Sequence, residues 1–225
     1  MFQGKKIISL IPLRWGSKSI PYKNIKEIAG KPLCYWVCEA AKRSRYVDGI
    51  YASTEDKKIK ETVESFGLGI KIADRPPELA TDTAMTEPAV LDFMKKAKED
   101  FDLMILLQAT SPLTRAADID GAIEQFFRDE CDSMLSGVVI KKFFWTDDGR
   151  PMNYDPANRP RRQDFSGVIN ENGAFYITKK EIWEKYGNRL GGKIWICIIP
   201  EYMTIDLDEP DDWPVVEKSL LEHKK

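Results

Sequence analysis

Ile7-Ile8-Ser9-Leu10-Ile11-Pro12-Leu13 is a short apolar run that breaks off into a polar loop, Arg14-Trp15-Gly16-Ser17-Lys18-Ser19-Ile20-Pro21-Tyr22-Lys23-Asn24. The run reads as a first strand, and the next hundred residues repeat the pattern of a short apolar segment and then an amphipathic one. Pro32 suits the first turn of a helix reaching about residue 45, with Leu33, Trp36, Val37 and Ala40 spaced as a buried stripe. Residues 48–54 form a second strand, 55–66 a helix ended by Gly67, and 70–73 a third strand. A βαβαβ opening of this kind predicts an α/β fold with a mostly parallel sheet.

Further along, a helix over 87–98 feeds Leu103-Met104-Ile105-Leu106-Leu107, apolar on both faces and therefore a central strand. A helix over 116–128 and a strand over 133–140 come next. Between 141 and 172 the alternation breaks among Gly149, Pro151, Pro156 and Pro160 with aromatic and basic residues, which reads as an insertion. Strands over 174–178 and 193–199, a helix over 180–186 and a last helix over 210–222 complete the main unit, so 1–140 and 173–225 belong together around the insertion.

Composition narrows the chemistry. The 225 residues carry 34 Lys and Arg against 36 Asp and Glu, a net charge of −2, which argues against nucleic acid as a partner. No apolar run approaches the roughly 18 residues of a membrane span, and the first residues lack the cleavage pattern of a secretory signal, so the expected location is the cytoplasm. Four cysteines and one histidine, His223, show no zinc spacing, and the thiols are expected to be buried and reduced. Acid, base and metal work therefore falls to carboxylates and lysines.

The first loop sets Arg14, Lys18 and Lys23 beside Gly16 at the carboxyl end of strand one, where open α/β sheets bind ligands. Small residues there let backbone N–H groups approach an anion, and three cations suit a polyphosphate. The spacing is neither that of a P-loop nor a Gly-x-Gly-x-x-Gly. Near the other end, Thr204-Ile205-Asp206-Leu207-Asp208 read as a strand sends Asp206 and Asp208 to one face, a pair able to hold Mg²⁺. Cations for phosphates plus a carboxylate pair for a metal are the parts of phosphoryl or nucleotidyl transfer.

A string of short blocks then spans nearly the whole chain in order. They are Arg14-x-Gly16-Ser17-Lys18-x-Ile20-Pro21-x-Lys23-Asn24, Gly30-Lys31-Pro32-Leu33, Leu107-Gln108-x-Thr110-Ser111-Pro112-Leu113, Arg161-Arg162-Gln163-Asp164, Glu171-Asn172-Gly173-Ala174-Phe175-Tyr176-Ile177 and Ile205-Asp206-x-Asp208-Glu209-Pro210. Together they resemble the acylneuraminate cytidylyltransferases, the CMP-sialic acid synthetases.

The resemblance implies a three-layer Rossmann-like nucleotidyltransferase fold, with 141–172 as a dimerisation insertion that carries basic residues into a partner's site. It implies a homodimeric enzyme that joins CMP from CTP to the anomeric oxygen of an acidic nine-carbon sugar and releases pyrophosphate. Arg14, Lys18 and Lys23 would hold the phosphates, Asn24 the ribose, and Arg75 and Thr86 the cytosine edge. Thr86 followed by Glu87 also reads as a helix N-cap. Gln108, Phe175 and Tyr176 would face the sugar, Arg161, Arg162 and Gln163 its carboxylate, and Asp206 and Asp208 the Mg²⁺. The alternatives are GTP in place of CTP, a legionaminic, pseudaminic or octulosonic acid acceptor, and a nucleotide-binding module without turnover.

Overall fold

In the computed structural model, which describes residues 1–17, 19–205 and 207–223, the apolar segments pair into one sheet. In chain order the elements are β1 (Ile7–Pro12), β2 (Glu27–Ile28), β3 (Lys31–Pro32), α1 (Leu33–Arg43), β4 (Gly49–Thr54), α2 (Lys57–Ser65), β5 (Lys71–Asp74) and α3 (Thr86–Lys96). They continue with β6 (Leu103–Leu107), α4 (Ala116–Arg128), β7 (Ser133–Ile140), β8 (Val168–Lys179), α5 (Lys180–Tyr186), β9 (Ile194–Ile198) and α6 (Asp212–His223). The strand order is β5-β4-β1-β6-β8-β7-β9, and β2 with β3 forms a small separate hairpin. Only β8 runs against its neighbours, antiparallel to both β6 and β7, so the expected mostly parallel sheet is found.

Strand alternation builds the three layers. Ile7, Ile11, Ile105, Leu107, Phe175 and Ile177 face one side, against Leu33 and Val37 of α1, Phe126 of α4 and Val216 of α6. Ile8, Leu10, Met104, Leu106 and Tyr176 face the other, against Val90 and Phe93 of α3 and Trp183 of α5. Every residue of β6 is buried, as a central strand requires. In β7 the pairing shifts between Leu135 and Gly137, where a Cβ on Gly137 would sit 2.6 Å from Ile169 Cγ2, so this bulge accepts only glycine without displacing its neighbours.

Several expectations need correction. Pro32 is the N-cap of α1 rather than its first residue, and α6 starts at Asp212, two residues after Pro210. Residues 201–204 form a 3₁₀ turn and 207–208 lie in a loop, so the strand expected from Thr204 does not form. The sheet resumes at Val168, not 173, because Val168 to Glu171 continue the β7 ladder; the excursion is therefore 141–167. The four cysteines are buried and free, as expected. His223 closes α6 with its ring stacked 4.3 Å from that of Tyr202. Among the described residues no helix is long and apolar enough to cross a membrane.

Phe175 and Tyr176, expected to face the sugar, sit in the two apolar layers on opposite faces of β8, and neither lines the cavity at the carboxyl ends of β1 and β6. Adjacent strand residues point apart, so the pair could not share one ligand. The Tyr176 hydroxyl donates to the Glu171 carboxylate, and the Arg189 guanidinium lies 4.8 Å over its ring. Burial, reinforced by Glu171, pushes the Tyr176 phenol up from 10.0 to about 12. The neutral phenol is the form the fold prefers. Its stabilisation is complete below about pH 10 and is lost as pH climbs through about 12, a loss of roughly 2–3 kcal/mol for a shift of that size. Denaturant melts at pH 9 and 11.5 should therefore show wild type losing more stability than Tyr176→Phe; parallel losses in the two proteins would refute this.

Candidate active site

At the carboxyl ends of β1 and β6 a cavity of about 300 Å³ opens, bordered by the first loop, the segment around Thr86 and the loop leaving β6. The ladder between β1 and β4 carries one rung past the strand, Leu13 N–H to Ser53 O at 2.8 Å, and the chain then turns into the loop. Asn24 fastens that loop internally by donating its amide to the Arg14 carbonyl at 2.8 Å. Tyr22 takes a left-handed conformation, φ 52°, to start the 3₁₀ turn Lys23–Ile25.

That turn aims Lys23 across the cavity. Its ammonium donates to the Leu207 carbonyl at 2.9 Å and the Asp208 carboxylate at 3.0 Å, joining the two ends of the chain. The Lys23 side chain is 12% exposed and that of Asp208 65%, so the cation is recessed and the acid opens to solvent. Arg14 reaches the other way, to the Thr81 carbonyl at 3.0 Å and to Asp82 at 3.3 Å.

Arg75 is buried at the edge of the cavity, its guanidinium donating to Ser53 Oγ at 3.2 Å and Ser53 O at 2.9 Å. Burial lowers its basicity, with the Glu55 carboxylate opposing that and the Arg14 charge adding to it. Thr86 borders the cavity as the first residue of α3; the N-cap is Met85, and no side chain caps that helix. Gln108 borders the cavity too, its backbone N–H held by the Ala174 carbonyl at 3.1 Å.

Of the residues expected here, Arg14, Lys23, Asn24, Arg75, Thr86, Gln108 and Asp208 come together around one cavity. Lys18 and Asp206 lie outside the described residues. Arg161 and Arg162 border a different cleft of about 600 Å³ on the insertion, with Lys141, Lys142 and Arg159, and Arg161 pairs with Asp164 at 2.6 Å. Gln163 stands exposed in the same turn.

Two positions had no role assigned from sequence. Asn172, buried in β8, accepts from Ser136 Oγ at 2.7 Å and donates to the Met203 carbonyl at 3.0 Å, fixing the turn that leads to Asp208. Leu207 N–H, donating to the Thr110 carbonyl at 3.1 Å, ties the same segment to the loop after β6. The sequence gives little signal for Asn172, since Asn170, Glu171 and Gly173 make it one polar residue among several; only its burial in the fold demands hydrogen-bond partners. Glu55 is the other: its Oε1 accepts from Trp15 N–H at 2.9 Å.

The arrangement sets Arg14, Lys23 and Arg75 on the walls of one cavity and the exposed Asp208 carboxylate at its rim. Comparison with known proteins gives the family. The family model described as cytidylyltransferase matches residues 8–186. N-acylneuraminate cytidylyltransferase A of Danio rerio is 36% identical over 97% of this chain and 52% of its own, so this chain spans about half that relative's length. The pseudaminic acid cytidylyltransferase of Campylobacter jejuni is 26% identical over 92% of this chain and 93% of its own. Among solved structures, a CMP:2-keto-3-deoxy-manno-octonic acid synthetase complexed with CTP superposes with a TM-score of 0.72 at 18% identity, covering 96% of this chain and 99% of that one. With motif string, sheet order and family match in agreement, the chain belongs to the cytidylyltransferase family.

Proposed function

We propose that this chain transfers CMP from CTP to the anomeric oxygen of a nonulosonic acid of the sialic type. The sugar hydroxyl gives its proton to solvent water, its oxygen bonds to the α-phosphorus, and the bond from that phosphorus to pyrophosphate breaks. The observation that carries the reading is Lys23 paired with Asp208 in the lining of one cavity whose wall includes Arg14 and Arg75. No covalent intermediate on the protein is required, and positioning with charge compensation supplies the rate. Lys23 would offset charge on the α-phosphate. Arg14 would exchange the Asp82 carboxylate for the outer phosphates. Arg75, locked by Ser53, would present a fixed edge to the base.

The donors on offer for a metal fit Mg²⁺. The cavity contains neither histidine nor cysteine among its described lining, and Asp208 leaves a solvent-open carboxylate beside the phosphate position. Mg²⁺ typically takes one or two carboxylates and completes its shell with water and substrate phosphates. Asp208, with Asp206, would hold it, and when bound it would neutralise charge building on the triphosphate.

The match to N-acylneuraminate cytidylyltransferase A supports a sialic acid as acceptor. The end-to-end match to a pseudaminic acid cytidylyltransferase supports that sugar as the second reading. We also assign a homodimer in which 141–167 reaches the partner's cavity. Exposed Trp145 and Met152 on that segment, and the cationic cleft bearing Arg161 and Arg162, support this. Four free thiols accord with the reducing cytoplasm.

Incubation with CTP, MgCl₂ and each of several nonulosonic acids should release pyrophosphate; silence with all of them would defeat the proposal, and activity only when GTP replaces CTP would correct the nucleotide. Lys23→Met should lower kcat by on the order of 10²-fold or more, as expected for loss of a fixed charge that stabilises the transition state, while leaving the melting curve cooperative. A rate near wild type would remove Lys23 from the chemistry. Arg162→Ala should raise the KM for the sugar and leave that for CTP alone; an unchanged sugar KM would exclude the carboxylate contact.

A further inference from the structure

The end of β4, Ser53-Thr54-Glu55-Asp56, does more than finish a strand. Ser53 O accepts from Leu13 N–H and from Arg75, Thr54 O accepts from Arg75 N–H at 3.1 Å, and Asp56 caps α2 by accepting from Ile59 N–H at 2.9 Å. Glu55 is the member that faces the first loop. In a parallel ladder the donors of one strand recur every second residue. After Leu13 N–H to Ser53 O the next donor in line is Trp15 N–H, and it goes to Glu55 Oε1 rather than to a backbone carbonyl.

A side chain thus supplies one more rung where the two backbones have already diverged. It fixes the residue between Arg14, which borders the cavity, and Gly16, which borders it as well. A carboxylate at this point also lies in the field of Arg75, whose buried guanidinium is bonded to Ser53, two residues before Glu55 on the same strand end. The other oxygen, Oε2, is enclosed with no hydrogen-bond partner among the described residues, so the carboxylate is held in place by the Trp15 contact and by neighbouring positive charge.

We infer that Glu55 is a positioning residue for the nucleotide: by holding Trp15 N–H it sets the loop bearing Arg14 and Gly16 at the distance from Arg75 that one nucleotide spans. This rests on the reading of the cavity as the CTP site. The residue is not catalytic, since it borders the loop and not the cavity itself. Its influence falls mainly on the nucleotide end, because the segment carrying Asp208, besides its contact with Lys23, has anchors of its own in Thr110 and Asn172.

The test is calorimetric titration of CTP into wild type, Glu55→Ala and Glu55→Gln, with melting curves and the sugar KM measured alongside. Glu55→Ala should weaken CTP binding about tenfold, the scale of one lost hydrogen bond to a charged group, with the sugar KM and melting temperature close to wild type. Glu55→Gln keeps a carbonyl acceptor for Trp15 N–H and should recover most of the affinity. CTP binding by Glu55→Ala equal to wild type would overturn the inference, and so would Glu55→Gln falling as far as alanine, which would make the charge and not the anchor responsible. Wild type that binds no CTP would bring down the reading of the site and the inference with it, an outcome distinct from wild type binding while the variants match it.

Discussion

The Lys23 ammonium, donating to Leu207 O and to Asp208, closes a ring between two loops 184 and 185 residues apart in sequence. An ion pair whose acid is 65% exposed contributes about 0–1 kcal/mol to folding, so stability is not its main consequence. What the contact does is place a recessed cation and an exposed anion side by side in the lining of one cavity. Burial keeps the lysine from wandering, and exposure leaves the aspartate free to take a metal or a solvated partner. Everything else at the site serves to aim these two groups: Tyr22 turns the chain toward Lys23, and Asn172 with Thr110 seats the segment that ends in Asp208.

Regular elements were legible because their signals are local. Five consecutive apolar residues gave β6 its central place, and Gly67, at φ 66°, ended the helix where expected. The cations of the first loop were legible because their place after the first strand fixes which end of the sheet they occupy. Phe175 and Tyr176 failed for a physical reason. A motif groups residues by sequence, whereas a strand sends alternate residues to opposite layers, and here both layers are packed with helices. Thr204 to Asp208 failed because alternation over a few residues does not compete with tertiary hydrogen bonds: the Met203 and Leu207 backbones are taken by Asn172 and Thr110. Glu55 left no trace, since a carboxylate at a strand end is equally at home in water.

Arg14 and Arg75 show how two cations are kept on the wall of one cavity. Two guanidinium groups close enough to perturb one another would repel, and burial makes the cost for Arg75 larger. The protein spreads the compensation over several acceptors: Ser53 and Glu55 for Arg75, Thr81 and Asp82 for Arg14. The partners of Arg14 are exposed and weak, those of Arg75 are buried and include a backbone carbonyl. On the proposed reading a phosphate would displace the first set at little cost and leave the second in place. Burial and partners together distinguish the two cations.

The direction of β8 explains where the insertion emerges. Had the strand after β7 been parallel to it, the chain would have needed a crossover to return to the opposite edge of the sheet before pairing. Because β8 is antiparallel, Ile140 and Val168 are register partners, and both ends of the excursion over 141–167 stand at the carboxyl edge of β7. That is the edge at which β1 and β6 end and the cavity opens. One reversed strand in an otherwise parallel sheet therefore puts Asn172 within reach of the Asp208 segment and delivers the cationic insertion on the same side as the cavity. A parallel β8 would have turned Asn172 and the arginines toward the other end of the sheet, with the same residues in the chain and no shared site for them to serve.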